Sequence, residues 1–214
     1  MNRSRSPLGA TAFVAAAVIA SSAPVAADTW QIDPAHSVAQ FSVTHLMIST
    51  VRGEFGVMSG TVEYDGKDVS SIKADVTIDV ASISTRNEYR DKDLKSDHFF
   101  DVAKFPKLTF KSKKVVPGKA GAFQLVGDLT MHGVTKEVTL EVTGPSKVIK
   151  GARGESRVGA SAGTKVNRQD FGVSWNATVD GAGVVVSDSV SITIDIEAML
   201  APLPAAPPAA PAKP

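Results

Sequence analysis

The sequence predicts an antiparallel all-β fold, and three observations carry that reading. Apolar residues recur with period two through most of the chain, turn residues separate the runs, and only one short stretch carries helix signals. Ile72, Ala74, Val76, Ile78 and Val80 alternate with Lys73, Asp75, Thr77 and Asp79, so one face of that strand is apolar and the other polar. The pattern returns as Phe123, Leu125, Leu129 and Met131, with Gly127 interrupting, and as Val134, Val138, Leu140 and Val142. His132-Gly133 between these two runs reads as a hairpin turn. Runs around Ala39–Val43, Phe55–Tyr64 and Leu108–Val116 behave alike, which gives roughly eight to ten half-buried strands.

Alternation from Val184 to Ala198 spans fifteen residues with Asp188 as its one break, a length of ~50 Å as a single strand. Strands this long make either an elongated sandwich or an elongated barrel, and periodicity does not separate the two. The helix signal is Thr85 followed three residues later by Glu88, a capping box, so a short helix is expected from about Arg86 to Lys95. Ser96–Asp101 is expected to add another helical turn before Phe105-Pro106 returns the chain to strand.

The two ends differ from the middle. Residues 1–27 carry Arg3 and Arg5, an apolar stretch Leu8–Ala20, and small residues ending Val25-Ala26-Ala27, the order of a secretory signal peptide. An exported, periplasmic chain is therefore expected. Removal of the segment leaves 21 basic against 22 acidic residues, a net charge of −1. Residues 28–200 form the folded domain. Residues 201–214 hold six Pro and six Ala and cannot pack a core, so they read as a flexible, polyproline-like tail.

Composition excludes several functions. The near-neutral charge argues against a nucleic-acid partner, and with no cysteine there is no disulfide, thiolate metal site or cysteine nucleophile. His36, His45, His98 and His132 have no spacing that places two ligands on one face, so no metal site is expected. Asp33, His36 and Ser37 are close in sequence but lack a nucleophile-elbow context, and read as a turn whose side chains bond backbone groups. Arg168 and Asp170 read as a polar pair on a loop. No catalytic residue is identified, and no enzyme activity is expected.

An interior built from aliphatic residues and phenylalanine either packs solid or encloses an apolar, lipid-binding cavity, and the pattern is the same for both. Aromatics are only 6% of the chain, which favours the cavity because little bulk is available to fill a long barrel. By phase, Phe41, Val43, Phe110, Leu129 and Ile192 face the interior.

The ordered motifs resemble the YceI-like family of exported, lipocalin-like proteins. They are Trp30–Ser37, Phe41–Leu46, Val51–Phe55, Thr85–Asp91, Leu94–Asp101, Phe105–Phe110, Gly127–Thr135 and Arg168–Gly172. The resemblance covers about Thr29 to Ala198. It implies an elongated eight-stranded antiparallel barrel with one short helical insertion, holding a long isoprenoid or similar amphiphile and having no assigned catalysis. The small residues of Gly159–Asn167 depart from the family pattern and suggest a wider or looser wall.

The function expected is a periplasmic carrier or store for a polyisoprenoid, quinone or comparable amphiphilic lipid, with no cofactor other than such a ligand. The alternative is a non-catalytic interaction module that docks a transient membrane redox partner. The oligomeric state is open, a dimer included. Candidate ligand-contacting residues are Phe41, Val43, Phe55, Phe110, Leu129, Met131, Phe171 and Ile192 in the interior. His45, Arg52 and Arg86 are expected near an opening. Arg86, Arg90 and Lys92 are expected to face a polar head group, with Phe99 and Phe100 closing over the tail.

Overall fold

A computed structural model describes residues 27–119, 121–179 and 183–202. Most of the expected signal peptide and all but the first two residues of the expected tail lie outside the described residues. Along the chain run β1 (Asp28–Ile32), β2 (Val38–His45), β3 (Ser49–Phe55), β4 (Met58–Tyr64), β5 (Lys73–Asp79) and β6 (Ile83–Ser84). The helix α1 (Glu88–Lys95) follows, then β7 (Lys107–Pro117), β8 (Ala122–Met131), β9 (Val134–Thr143), β10 (Ile149–Lys150) and β11 (Ser156–Asn167). The short hairpin of β12 (Thr178–Val179) and β13 (Gly183–Val184) precedes the last strand, β14 (Ser189–Leu200). No helix among the described residues is long and apolar enough to cross a membrane.

The sheet closes into an eight-stranded antiparallel barrel, which decides between barrel and sandwich. Its order is β1-β4-β5-β7-β8-β9-β11-β14, and β14 returns to β1. Strand β14 is the pivot. One edge pairs with β11 from Arg157↔Met199 to Asn167↔Ser189, while the other pairs with β1 at Trp30–Ile32 and with β2 at Val38–Ser42. Thus β1 and β2 occupy one position in line, interrupted at residues 33–37. Likewise β3 runs on into β4, and β5 into β6.

The first interruption shows how side chains substitute for a missing ladder. Pro34 has no N–H, and the Ser37 hydroxyl instead accepts from Glu197 N (3.0 Å) and donates to Glu197 O (3.2 Å). Asp33 Oδ1 accepts from the Ala35 N–H, and Oδ2 from Arg157 Nη1 at 2.8 Å and the His36 ring at 2.8 Å. Arg157 also binds Glu155 at 2.7 Å and Glu197. Arg157 and Glu197 take the phase opposite to Val158, Ile196 and Ala198, which line the interior, so this cluster fastens the outer face of the wall where β1 breaks. The turn read from Asp33–Ser37 is therefore what the chain forms.

Elsewhere the reading needs correction. The expected fifteen-residue strand is broken, because Asp188 turns away: its carbonyl accepts from Arg168 N, and its carboxylate from Gln169 and Arg168. The Phe55–Tyr64 run is interrupted at Gly56-Val57. Helix α1 starts two residues later than expected, capped by Asn87, whose side chain accepts from Arg90 N. The Thr85 hydroxyl is occupied with Asp91, so no capping box forms, and Arg86 stands outside the helix at φ 62°. Ser96–Asp101 forms hydrogen-bonded turns, not helix. The His132-Gly133 hairpin is as read, both residues having positive φ.

Inside, two apolar clusters stack along the axis. One surrounds Trp30, Met58, Tyr64 and Phe123 near the base, and the other surrounds Phe55, Phe99, Met131 and Phe171 near the opposite end. Gly127 interrupts its strand for a steric reason: a Cβ there would fall 2.6 Å from the Phe110 ring, which lies across it.

Two stability measurements follow. The contacts of Asp33, led by the Arg157 hydrogen bond, hold its carboxyl at about 2. A depressed folded-state pKa adds stability above the unfolded value of ~4 and loses it as pH falls below that. The urea midpoint is therefore expected to drop between about pH 4 and 2, and Asp33→Asn to flatten that drop; an unchanged profile would show the cluster to be energetically idle. Phe171 is 2% exposed, and Phe171→Ala is expected to cost ~3–5 kcal/mol in equilibrium unfolding, whereas a loss below ~1 kcal/mol would contradict its place in the core.

Candidate functional site

The barrel encloses a cavity of about 410 Å³ that runs from the base cluster to the opposite end. Its wall is almost wholly apolar, because the inward phase of each strand is. Ala39, Phe41 and Val43 of β2 meet Ile192 and Ile194 of β14, and Phe110 meets Leu129 across β7 and β8. Ala160 and Ala162 of β11 point inward opposite Ile196 and Ile194, and rigid backbone on both sides keeps larger neighbours from collapsing onto them. The small-residue stretch thus contributes Ala160, Ala162 and Thr164 to the cavity lining. It also accompanies a loose seam: β9 and β11 pair only at Glu141–Thr143 with Ser161–Gly163, after which the Thr164 hydroxyl bonds Thr139 O at 2.8 Å.

Of the sequence-derived candidates, Phe41, Val43, His45, Phe55, Phe99, Phe100, Phe110, Leu129, Met131 and Ile192 line this cavity. Two do not. Phe171 packs into the core beside the wall. Arg86 lies on the outer surface with Arg52, in a separate groove; Arg52 takes the outward phase of β3, opposite Ser42, while its neighbours Val51 and Phe55 line the cavity.

The end away from the base forms a rim of mixed character. Phe99 packs on Trp175 with ring centroids 5.2 Å apart, and Phe100 meets Phe55 edge-on at 5.8 Å. Arg90 and Asp93 of α1 supply charge to the lining, and Lys92 does not. Arg90 is aimed by buried Thr85, donating from Nε to its hydroxyl (2.7 Å) and from Nη2 to its carbonyl (2.9 Å). Asp93 accepts from the His98 ring at 2.9 Å.

Arg168, 4% exposed, organises the rest of the rim. Its guanidinium donates to the carbonyls of Val173 (2.6 Å), Trp175 (2.8 Å) and Ser187 (3.1 Å), and pairs with Asp188 at 3.3 Å. The expected partner, Asp170, is exposed and makes no such bond. Burial lowers the pKa of Arg168 and Asp188 opposes that shift. Trp175, Val185 and Leu94 also line the rim and escaped sequence reading. Trp175 sits where no periodicity exists, and Val185 has the wrong parity for the run that the Asp188 break interrupts.

The chemistry available is enclosure of an apolar body with a polar end at Arg90 and Asp93. Among the described residues the grouping of His and carboxylate side chains able to hold a metal is Asp33, His36 and Glu197, and the Arg157 guanidinium already bonds two of its carboxylates.

Residues 30–198 match the family described as the YceI-like domain. A UPF0312 protein of Staphylococcus aureus is 38% identical over 167 residues, covering 77% of this chain and 94% of its own. The crystal structure of a YCEI protein from Campylobacter jejuni is 33% identical, with a TM-score of 0.64 over 74% of this chain and 90% of that one. A polyisoprenoid binding domain from Saccharophagus degradans shares the fold at 17% identity, TM-score 0.58, over 80% of this chain and 98% of that one. The chain belongs to the YceI-like family.

Proposed function

We propose that the protein carries or stores a polyisoprenoid, quinone or similar long amphiphile in the barrel, in the periplasm after export. The observation that carries this reading is the continuous apolar cavity of about 410 Å³, which ends at a rim bearing Arg90 and Asp93. That volume lies within the ~300–1,000 Å³ of pockets that enclose drug-sized ligands. The solved domain from Saccharophagus degradans, whose name states polyisoprenoid binding, has the same fold and supports the ligand class. The export segment at residues 1–27 supports the compartment. An interaction module would gain nothing from an unfilled interior, which costs packing energy along every wall residue.

Binding is tested by titration with a fluorescent prenyl analogue. Saturable binding is expected, and Ala162→Phe, which adds a ring to the cavity lining, is expected to weaken it at least about tenfold while the protein stays folded, as a methylene is worth ~0.8 kcal/mol. Unchanged affinity would place the ligand elsewhere. Phe100 covers the rim but is less buried than Phe99, so Phe100→Ala is expected to raise the off-rate more than it lowers the on-rate. Stopped-flow exchange with an unchanged off-rate would limit this ring to packing.

A further inference from the structure

We propose that the β2–β3 hairpin is a membrane-docking element, which seats the mouth of the cavity on an anionic phospholipid surface. The proposal deepens the lipid-carrier reading and rests on it for its purpose, while its observations stand apart. The hairpin tip is apolar and bare: Ile48 is 83% exposed and Met47 48%. It is also held in shape. Leu46 and Met47 adopt φ of 50° and 59°, a region unfavourable for L side chains, and the turn is fastened by Leu46 N–H to Val185 O (2.8 Å) and Ile48 N–H to His45 O (3.1 Å). An apolar tip fixed in water at a conformational cost points to a partner that covers it.

Charge selects the partner. From Val38 to Gly53 the hairpin contains no Asp or Glu; its ionisable groups are His45, Arg52 and, at the end of β3 farthest from the tip, Glu54. Arg52 and Arg86 line an outer groove of about 300 Å³ together with Ser42, Ser84, Ser191 and one carboxylate, Glu54. Neither guanidinium has an ion-pair partner among the described residues. Arg52 lies four residues behind Ile48, or ~13 Å along the strand. With the tip sunk ~5–10 Å into the headgroup boundary, that places Arg52 beside the lipid phosphates.

Position supplies the third argument. Val43, His45 and Val51 of this same hairpin line the cavity, so an apolar surface is continuous from the interior toward the tip. On the rim helix, Tyr89 is 90% exposed, an aromatic of the kind that settles at membrane interfaces. A lipid leaving the barrel there would enter a bilayer without crossing water.

The test is flotation of the full chain with phosphatidylcholine vesicles made with and without phosphatidylglycerol. The protein is expected to float with the anionic vesicles and to release at high salt. Met47→Ser with Ile48→Ser should weaken binding about tenfold or more. Arg52→Ser and Arg86→Ser should each cost about fivefold on anionic vesicles and nothing on neutral ones. All four positions are exposed, so folding is expected to survive. Failure of the wild-type chain to float, or equal flotation of the tip variant, overturns the proposal. A concentration-dependent dimer that Ile48→Ser abolishes would assign the tip to a second copy and overturn it equally. A chain that floats but carries no lipid would sink the carrier reading and leave the docking surface standing; a lipid-loaded chain that never floats would do the reverse.

Discussion

Closure of the sheet on itself is the constraint from which the rest of the structure follows. A closed ring pairs the backbone groups that an open sheet leaves at its edges, and it fixes the interior width by strand number and tilt, not by side-chain volume. Strand β14 makes closure possible by pairing along both edges, with β11 on one side and β1 and β2 on the other. Once the width is set, small residues cannot draw the wall inward. Ala160 and Ala162 therefore leave empty volume, where the same residues in a helical bundle would let neighbours approach.

The barrel's two ends are built for different tasks. Near the base, Arg157 bridges Asp33, Glu155 and Glu197 on the outer face of the wall, and the Ser37 hydroxyl completes the ladder where Pro34 interrupts it. At the other end, charge supports loops. Arg168 gathers the carbonyls of Val173, Trp175 and Ser187 around itself, and Thr85 steers Arg90 to the lining. A buried cation satisfied by carbonyls fixes the loop path while leaving the space beside it open, which a hydrophobic plug would not.

Much of this was legible in the sequence because period two reports directly which side chains share a face. Phe41, Val43, Phe110, Leu129 and Ile192 were placed inward by parity alone, and all five line the cavity. Parity gives no information where the ladder breaks. Val185 escaped for that reason, and the Asp188 break, visible as a polar residue in an apolar row, marks a real end of strand. Local signals misled where a side chain had a stronger distant or neighbouring partner. Thr85 bonds Asp91 and Arg90 instead of capping the helix, and Arg168 reaches across twenty residues to Asp188 in preference to nearby Asp170. Arg86 was expected at the opening, but its left-handed backbone and the strand before it carry it to the outer wall. The choice between a solid and a hollow interior depended on volumes that only the closed barrel defines.

The central claim is that the hollow of this barrel holds a long apolar chain. Native mass spectrometry of the protein, expressed as the full chain and prepared gently from the membrane-containing fraction, tests this most directly. The account predicts a lipid-sized mass adduct that organic extraction removes and that Ala162→Phe lacks. A clean apo mass for the wild-type chain under those conditions would contradict it.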